Sequence, residues 1–201
     1  MNRLLRFLGL LFFSYLSLTG PGFADGSSFV DPIYIKIDSG LKGLYAHNDE
    51  YAEFSFKGKE IELQDAYHIL LKQHIRMMVT FADKKELGQG TDLLVDHVQW
   101  ELKYQREHAN KVESAPRDDL SGPRNDLKVT EIRVYKNKGT PVIAYLIGLA
   151  SKEGVFVLSV SPADKSIDPL IKEIVSSLKL VHRKLDVEEV ARVSLEVSSK
   201  K

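Results

Sequence analysis

Histidines near acids, and a single tryptophan flanked by charges, are the residues of this chain whose types and spacing could do chemistry. Asp65 and His68 stand three apart, where a helix would let carboxylate and imidazole share a metal ion or a proton. A metal site needs a third ligand. His74 falls roughly 240° further round a helix than His68, so the three do not converge and an exposed polar pair is the plainer reading. His74 itself sits among Tyr67, Leu70, Met77, Met78 and Phe81, which share one face if the segment is helical. An imidazole there must find hydrogen-bond partners or stay neutral, and either condition moves its pKa. With no nucleophile or orienting acid beside it in the sequence, a core or cleft-rim histidine is expected. Met77, Met78 and Phe81 could line a pliable groove, though at helical spacing they read as core.

His97, Glu101 and Lys103 alternate with Trp100 and Leu102, so on a strand they form a polar row able to touch a ligand or partner. Cross-strand charge pairs on a solvated face explain the same letters. His74, Met78, His97, Trp100, Glu101 and Lys103 are therefore the candidate ligand- or partner-binding residues, and none is expected to be catalytic. The sequence carries no G-x-S-x-G, H-E-x-x-H, phosphate-binding glycine loop or G-x-G-x-x-G; Gly88-Gln89-Gly90 lacks the third glycine. No cofactor or metal is expected.

These residues must be positioned by a mixed set of elements. Ile33, Ile35 and Ile37 alternate with polar residues until Ser39-Gly40, and Ala52, Phe54 and Phe56 do the same until Gly58, which predicts two strands. Ile61 and Leu63 could close a hairpin or open the next element. From Gln64 to Ala82 the spacing predicts an amphipathic helix, and from Asp83 to Asp92 a loop. Val98, Trp100, Leu102 and Tyr104 alternate as a half-buried strand would. Arg106 to Asp126, rich in charge, Asn, Pro and Gly, reads as a long mobile loop. Val129–Tyr135, Val142–Ala150 and Val155–Ser161 predict an antiparallel meander. Asp168 as N-cap and Pro169 in the first turn open a helix whose apolar stripe runs from Leu170 to Val181. The fold class expected is α+β, an antiparallel sheet covered by two amphipathic helices in an α/β sandwich.

The carboxyl half, GTPVIAYLIGLASKEGVFVLSVSPADKSIDPLIKEIVSSLKLV, resembles the end of PsbP and Mog1-like domains. Those also finish with a hairpin, a polar turn and a helix ending in a Ser-hydrophobic pair, matched here by Ser177-Leu178. The resemblance implies a binding or assembly protein without catalysis, in some members exported.

Composition bounds the rest. Met1 to Arg6 holds two arginines and no acid, Phe7 to Leu18 is almost unbroken apolar sequence, and Gly22-Phe23-Ala24 ends in small residues, the layout of a cleavable export signal with Asp25 as first mature residue. The apolar run is shorter than the roughly 17 to 25 residues of a membrane-spanning helix. The domain plan is thus a signal peptide over 1–24, one domain over 25–182 and a weakly ordered tail over 183–201. The chain is neutral overall, and losing Arg3 and Arg6 leaves about −2, which gives no electrostatic reason to expect nucleic acid. The chain has no cysteine, so disulfides, thiolate metal sites and cysteine nucleophiles are excluded. The expected function is an exported, soluble, periplasmic or secreted protein-binding or assembly domain whose partner is another exported protein. The alternatives are a carrier of a small apolar ligand held between the first helix and the sheet, and a hydrolase using His74.

Overall fold

Strand-favouring segments, some alternating apolar with polar residues and some apolar along their length, fold about half of the described residues into antiparallel strands. The computed structural model describes residues 33–182 apart from 38–39, 48–49, 59–60, 66, 73, 88–89 and 137–138; the expected leader and tail lie outside the described residues. In order, the elements are β1 (Ile33–Ile37), β2 (Gly40–His47), β3 (Glu50–Lys57), β4 (Glu62–Leu63), β5 (His68–Lys72), β6 (Ile75–Asp83), α1 (Lys84–Leu87), α2 (Leu93–His108), β7 (Lys111–Pro116), α3 (Asp118–Ser121), β8 (Leu127–Tyr135), β9 (Val142–Ala150), β10 (Gly154–Ser161), α4 (Asp168–Ser177) and β11 (Lys179–His182). Two sheets result, β1-β2-β3-β11 and β4-β5-β6-β10-β9-β8-β7, with every neighbouring pair antiparallel. The fold is α+β.

One face of the large sheet makes the main core. Ile69, Met77, Val79, Leu127, Ile147, Leu149, Phe156 and Leu158 meet Leu41, Tyr45, Phe54 and Phe56 of the small sheet and Ile171, Ile174 and Val175 of α4 in one cluster. Ser177, at the end of α4, ties the helix to the small sheet: its hydroxyl accepts from Ser55 N at 2.8 Å and lies 2.7 Å from Ser55 O. The opposite face carries α2, with Leu94 against Val155 and Val157, and Leu102 against Ile132, Val134 and Leu146.

β1, β3, the β8–β9–β10 meander and α4 stand where the sequence puts them. Two assignments are exchanged. The helix expected over 64–82 is replaced by the antiparallel strands β5 and β6, because Ile69, Leu71, Ile75, Met77 and Val79 are buried with strand periodicity and β6 pairs with β10 along its length. Residues 98–104 are not a strand but the middle of α2. Asp92 caps it, accepting from Leu94 N at 3.0 Å and Val95 N at 3.1 Å, and the buried positions Leu94, His97, Glu101, Leu102 and Gln105 follow helical spacing. The expected 106–126 loop holds the end of α2, β7 and α3. The helix read to Val181 stops at Ser177, and Leu180 and Val181 continue in β11 against β3. Asp168 does not cap α4; its carboxylate turns away to Arg117 and Tyr145.

Candidate binding edge

β7 closes one side of the large sheet and, among the described residues, pairs only with β8. Arg117 N donates to Val129 O at 2.9 Å, which sets the phase of the ladder. With hydrogen bonding on alternate residues, Lys111, Glu113 and Ala115 turn their main-chain groups to β8, while Val112 and Ser114 turn theirs outward. Pro116 falls in the outward phase, where its missing N–H takes nothing from the ladder. The side chains alternate too. Val112 packs beneath α2, while Glu113 faces the other side, accepting from Tyr135 Oη at 2.9 Å.

A cleft lies on each side of this strand. One, of about 330 Å³, is lined by Glu113, Ser114, Ala115, Glu131 and Arg133. The other, of about 320 Å³, runs between α2 and β7, with Leu94, Val95 and Val98 opposite Pro116, and Lys128 and Arg124 at its border. Val95 is one of the large apolar side chains left exposed. Ser114 borders both clefts.

Arg117, directly after β7, fixes the geometry at that end. Its guanidinium donates to Asp119 Oδ1 at 2.8 Å and Oδ2 at 2.9 Å, to Glu131 Oε2 at 3.2 Å, to Tyr145 Oη at 2.8 Å and to Asp168 Oδ2 at 2.8 Å. Tyr145 in turn donates to Asp168 Oδ1 at 3.0 Å. Burial, then the hydrogen bond to Asp168, push the Tyr145 phenol up to about 12. One cation therefore joins the β7–α3 turn, β8, β9 and the start of α4. Ser121 holds the same turn from behind, accepting from Val129 N at 2.8 Å.

The candidate residues read from the sequence divide. His97, Trp100, Glu101 and Lys103 share α2, with His97 and Glu101 buried against the sheet and Lys103 exposed. They do not form one wet row, because a helix turns successive residues by 100° where a strand alternates them. The His97 and Trp100 rings stack at 6.3 Å and 22°. Burial alone takes the His97 imidazole down to about 4. Burial also raises Glu101, against one hydrogen bond from Gln105 Nε2 at 2.7 Å. His74 stands exposed at the β5–β6 turn, not in an apolar stripe, and Met78 is buried on β6 opposite Ser159 and His68. The ligand pocket expected between a first helix and the sheet has no such helix, since His68–Lys72 and Ile75–Asp83 are strands of the sheet itself. Asp65 and His68 are the polar pair expected: Asp65 accepts from Tyr67 N and His68 N and meets His68 Nδ1 at 2.8 Å, holding the turn into β5.

The chain matches no protein-family model, no curated protein and no solved structure. Among the described residues no group of three acids or histidines is placed to hold a metal ion, and no helix is long and apolar enough to cross a membrane. Sequence reasoning missed Arg117, Glu131 and Tyr145. They converge from positions 14, 28 and 51 residues apart from Arg117 in the pairs with Glu131, Tyr145 and Asp168, so nothing local marks them. What the arrangement offers chemically is main-chain donors and acceptors along an open edge, with room for side chains above and below it.

Proposed function

We propose that this chain is an exported binding or assembly domain without catalysis, of the PsbP/Mog1-like kind, and that it engages another exported protein along β7. The observation that carries this reading is the coincidence of a strand edge that no described residue pairs with and a cleft on each of its faces. An extended segment laid beside an edge strand gains main-chain hydrogen bonds, and its alternate side chains go to opposite faces. A rigid strand is needed for that, and the Arg117 network supplies the anchor at its carboxyl end. The likeness to PsbP and Mog1-like domains rests on the carboxyl-half sequence and its Ser177-Leu178 pair, at which α4 ends with Ser177 bonded to Ser55 of β3. Export rests on the leader-like sequence, and intact mass of the secreted protein is expected to begin at Asp25.

A photo-crosslinking amino acid at position 114 tests the edge, with the same group at Lys165, an exposed residue in the turn before α4, as control. Performed in the native compartment, position 114 is expected to capture a protein and position 165 is not. Equal labelling from both, or none from 114, overturns the reading.

A further inference from the structure

Resting on the β7 reading, we infer that the segment that pairs with this edge is β7 of a second copy of the same chain, antiparallel about a two-fold axis at Val112. Three two-fold registers keep the outward groups of Val112 and Ser114 in hydrogen-bonding phase. Centred on Glu113, the pairing sets Glu113 against its own copy. Centred on Ser114, it sets Lys111 against Arg117 and brings Val112 opposite Pro116, which has no N–H to give. Centred on Val112, it sets Lys111 against Glu113 twice, once on each side of the axis.

The charges of the strand are thus self-complementary in one register only. Like charges directly opposite destabilise a strand pair, and opposite charges stabilise it. In the Val112 register the row across the junction reads Arg133, Glu113, then Lys111 and Tyr135 of the second copy, since Glu113 pairs with Arg133 and Lys111 with Tyr135 within each chain. Lys111 already lies 5.3 Å from the Tyr135 ring centroid and bonds Glu113 along its own strand, so both side chains stand on the face that the pairing needs. On the other face Val112 meets Val112. In this register Ser114 falls opposite Asn110, whose N–H donates to Tyr135 O at 3.0 Å, so the pairing is confined to Lys111–Glu113, with the two main-chain hydrogen bonds of the Val112 pair at its centre. A two-fold contact of this kind closes on itself, so the assembly stops at a dimer with one sheet running through both copies.

The chain has no cysteine, which makes the register directly readable. In the Val112 register the Cα atoms of the two Val112 residues stand about 5.5 Å apart, within disulfide reach, while the two Ser114 residues are separated by four residues of strand, about 13 Å. Val112→Cys is expected to oxidise to a covalent dimer and Ser114→Cys is not. Light scattering on the full chain over a series up to about 1 mM, where even weak specific pairing is populated, is expected to show a monomer–dimer equilibrium. Lys111→Glu should weaken the dimer about tenfold or more, since two attractive pairs become repulsive, and Lys111→Glu with Glu113→Lys should restore it. Circular dichroism confirms that each variant is folded, and the double variant controls for a local effect of either charge. A monomer throughout the series overturns the inference, as does cross-linking through position 114 in place of 112, or a double variant no better than the single one. Capture of a different protein from position 114 in the native compartment leaves the edge reading standing and removes self-pairing; absence of any capture there, with a dimer that ignores the charge swap, removes both.

Discussion

Arg117 is 14 % exposed at its side chain and spends its donors on three carboxylates and a phenol. Removing one member of a buried charge group leaves the rest uncompensated, so Arg117→Met is expected to lower stability by about 2–4 kcal/mol in a urea melt. A change within experimental error would mean that water already serves Glu131 and Asp168. Tyr145 makes the same cluster sensitive to alkali. Its phenol ionises near 10 unfolded and near 12 folded, so the folded state holds the proton more tightly. Its contribution is complete below pH 10 and is lost as pH rises to 12, and Tyr145→Phe should flatten stability across that window. His97 works at the other end of the scale. It binds a proton near 6.5 unfolded but only near 4 folded, so its contribution is present above pH 6.5 and is lost as pH falls through 4. Loss of about 3 kcal/mol over that interval is expected, absent in His97→Leu, and a flat wild-type profile would place the imidazole in water. Glu101 has the opposite sign: burial favours its protonated form. Glu101→Gln keeps an acceptor for Gln105 and discards a buried charge, so it should raise the melting temperature at pH 7 and change little at pH 4.

Elements show where sequence periodicity suffices and where it does not. The β8–β9–β10 meander was legible because its strands are long runs rich in Val, Ile and Leu, punctuated by Lys138-Gly139 and Lys152-Glu153-Gly154. Residues 64–82 were not, since an apolar run with a break near His74 satisfies both periods, and only pairing with β10 decides between them. The letters of α2 also alternate by chance over Val98 to Tyr104, while the deciding signal, Asp92 followed by helix-favouring Leu, Gln, Glu and Lys, lies in its cap and its propensities. β7 read as loop for a physical reason: a strand exposed along most of its length buries no alternate face and so leaves no pattern. In the small sheet, Gly43 faces Phe54 across β2 and β3, and a Cβ there would come within 2.2 Å of the ring. Phe54 is fully buried, with no space to withdraw into. Gly43→Val is therefore expected to destabilise by about 1–3 kcal/mol from overpacking, and tolerance in a thermal melt would show that β2 can shift outward.

At the scale of the molecule, the 106–126 segment, whose composition reads as loop, is tied into the sheet. Arg117 and Arg124 are both committed to partners, Arg124 to Asp126 and to the main chain of Leu178. Limited trypsin digestion should spare both positions while the fold persists, and an early cut after either, read by mass spectrometry, would show that the network does not hold the turn. Another property follows from β11. The small sheet opens with the first described strands and is completed by the last, through Ala52 opposite Leu180 and Tyr51 opposite Val181. During synthesis, β2 and β3 emerge well before the helix and strand that cover Phe54 and Phe56. Contacts so distant in sequence form late, and a nascent chain lacking them has no finished core to close around. A polypeptide built this way stays threadable until α4 and β11 are made. Chains truncated before Asp168 are accordingly expected to remain protease-sensitive and without a cooperative melt.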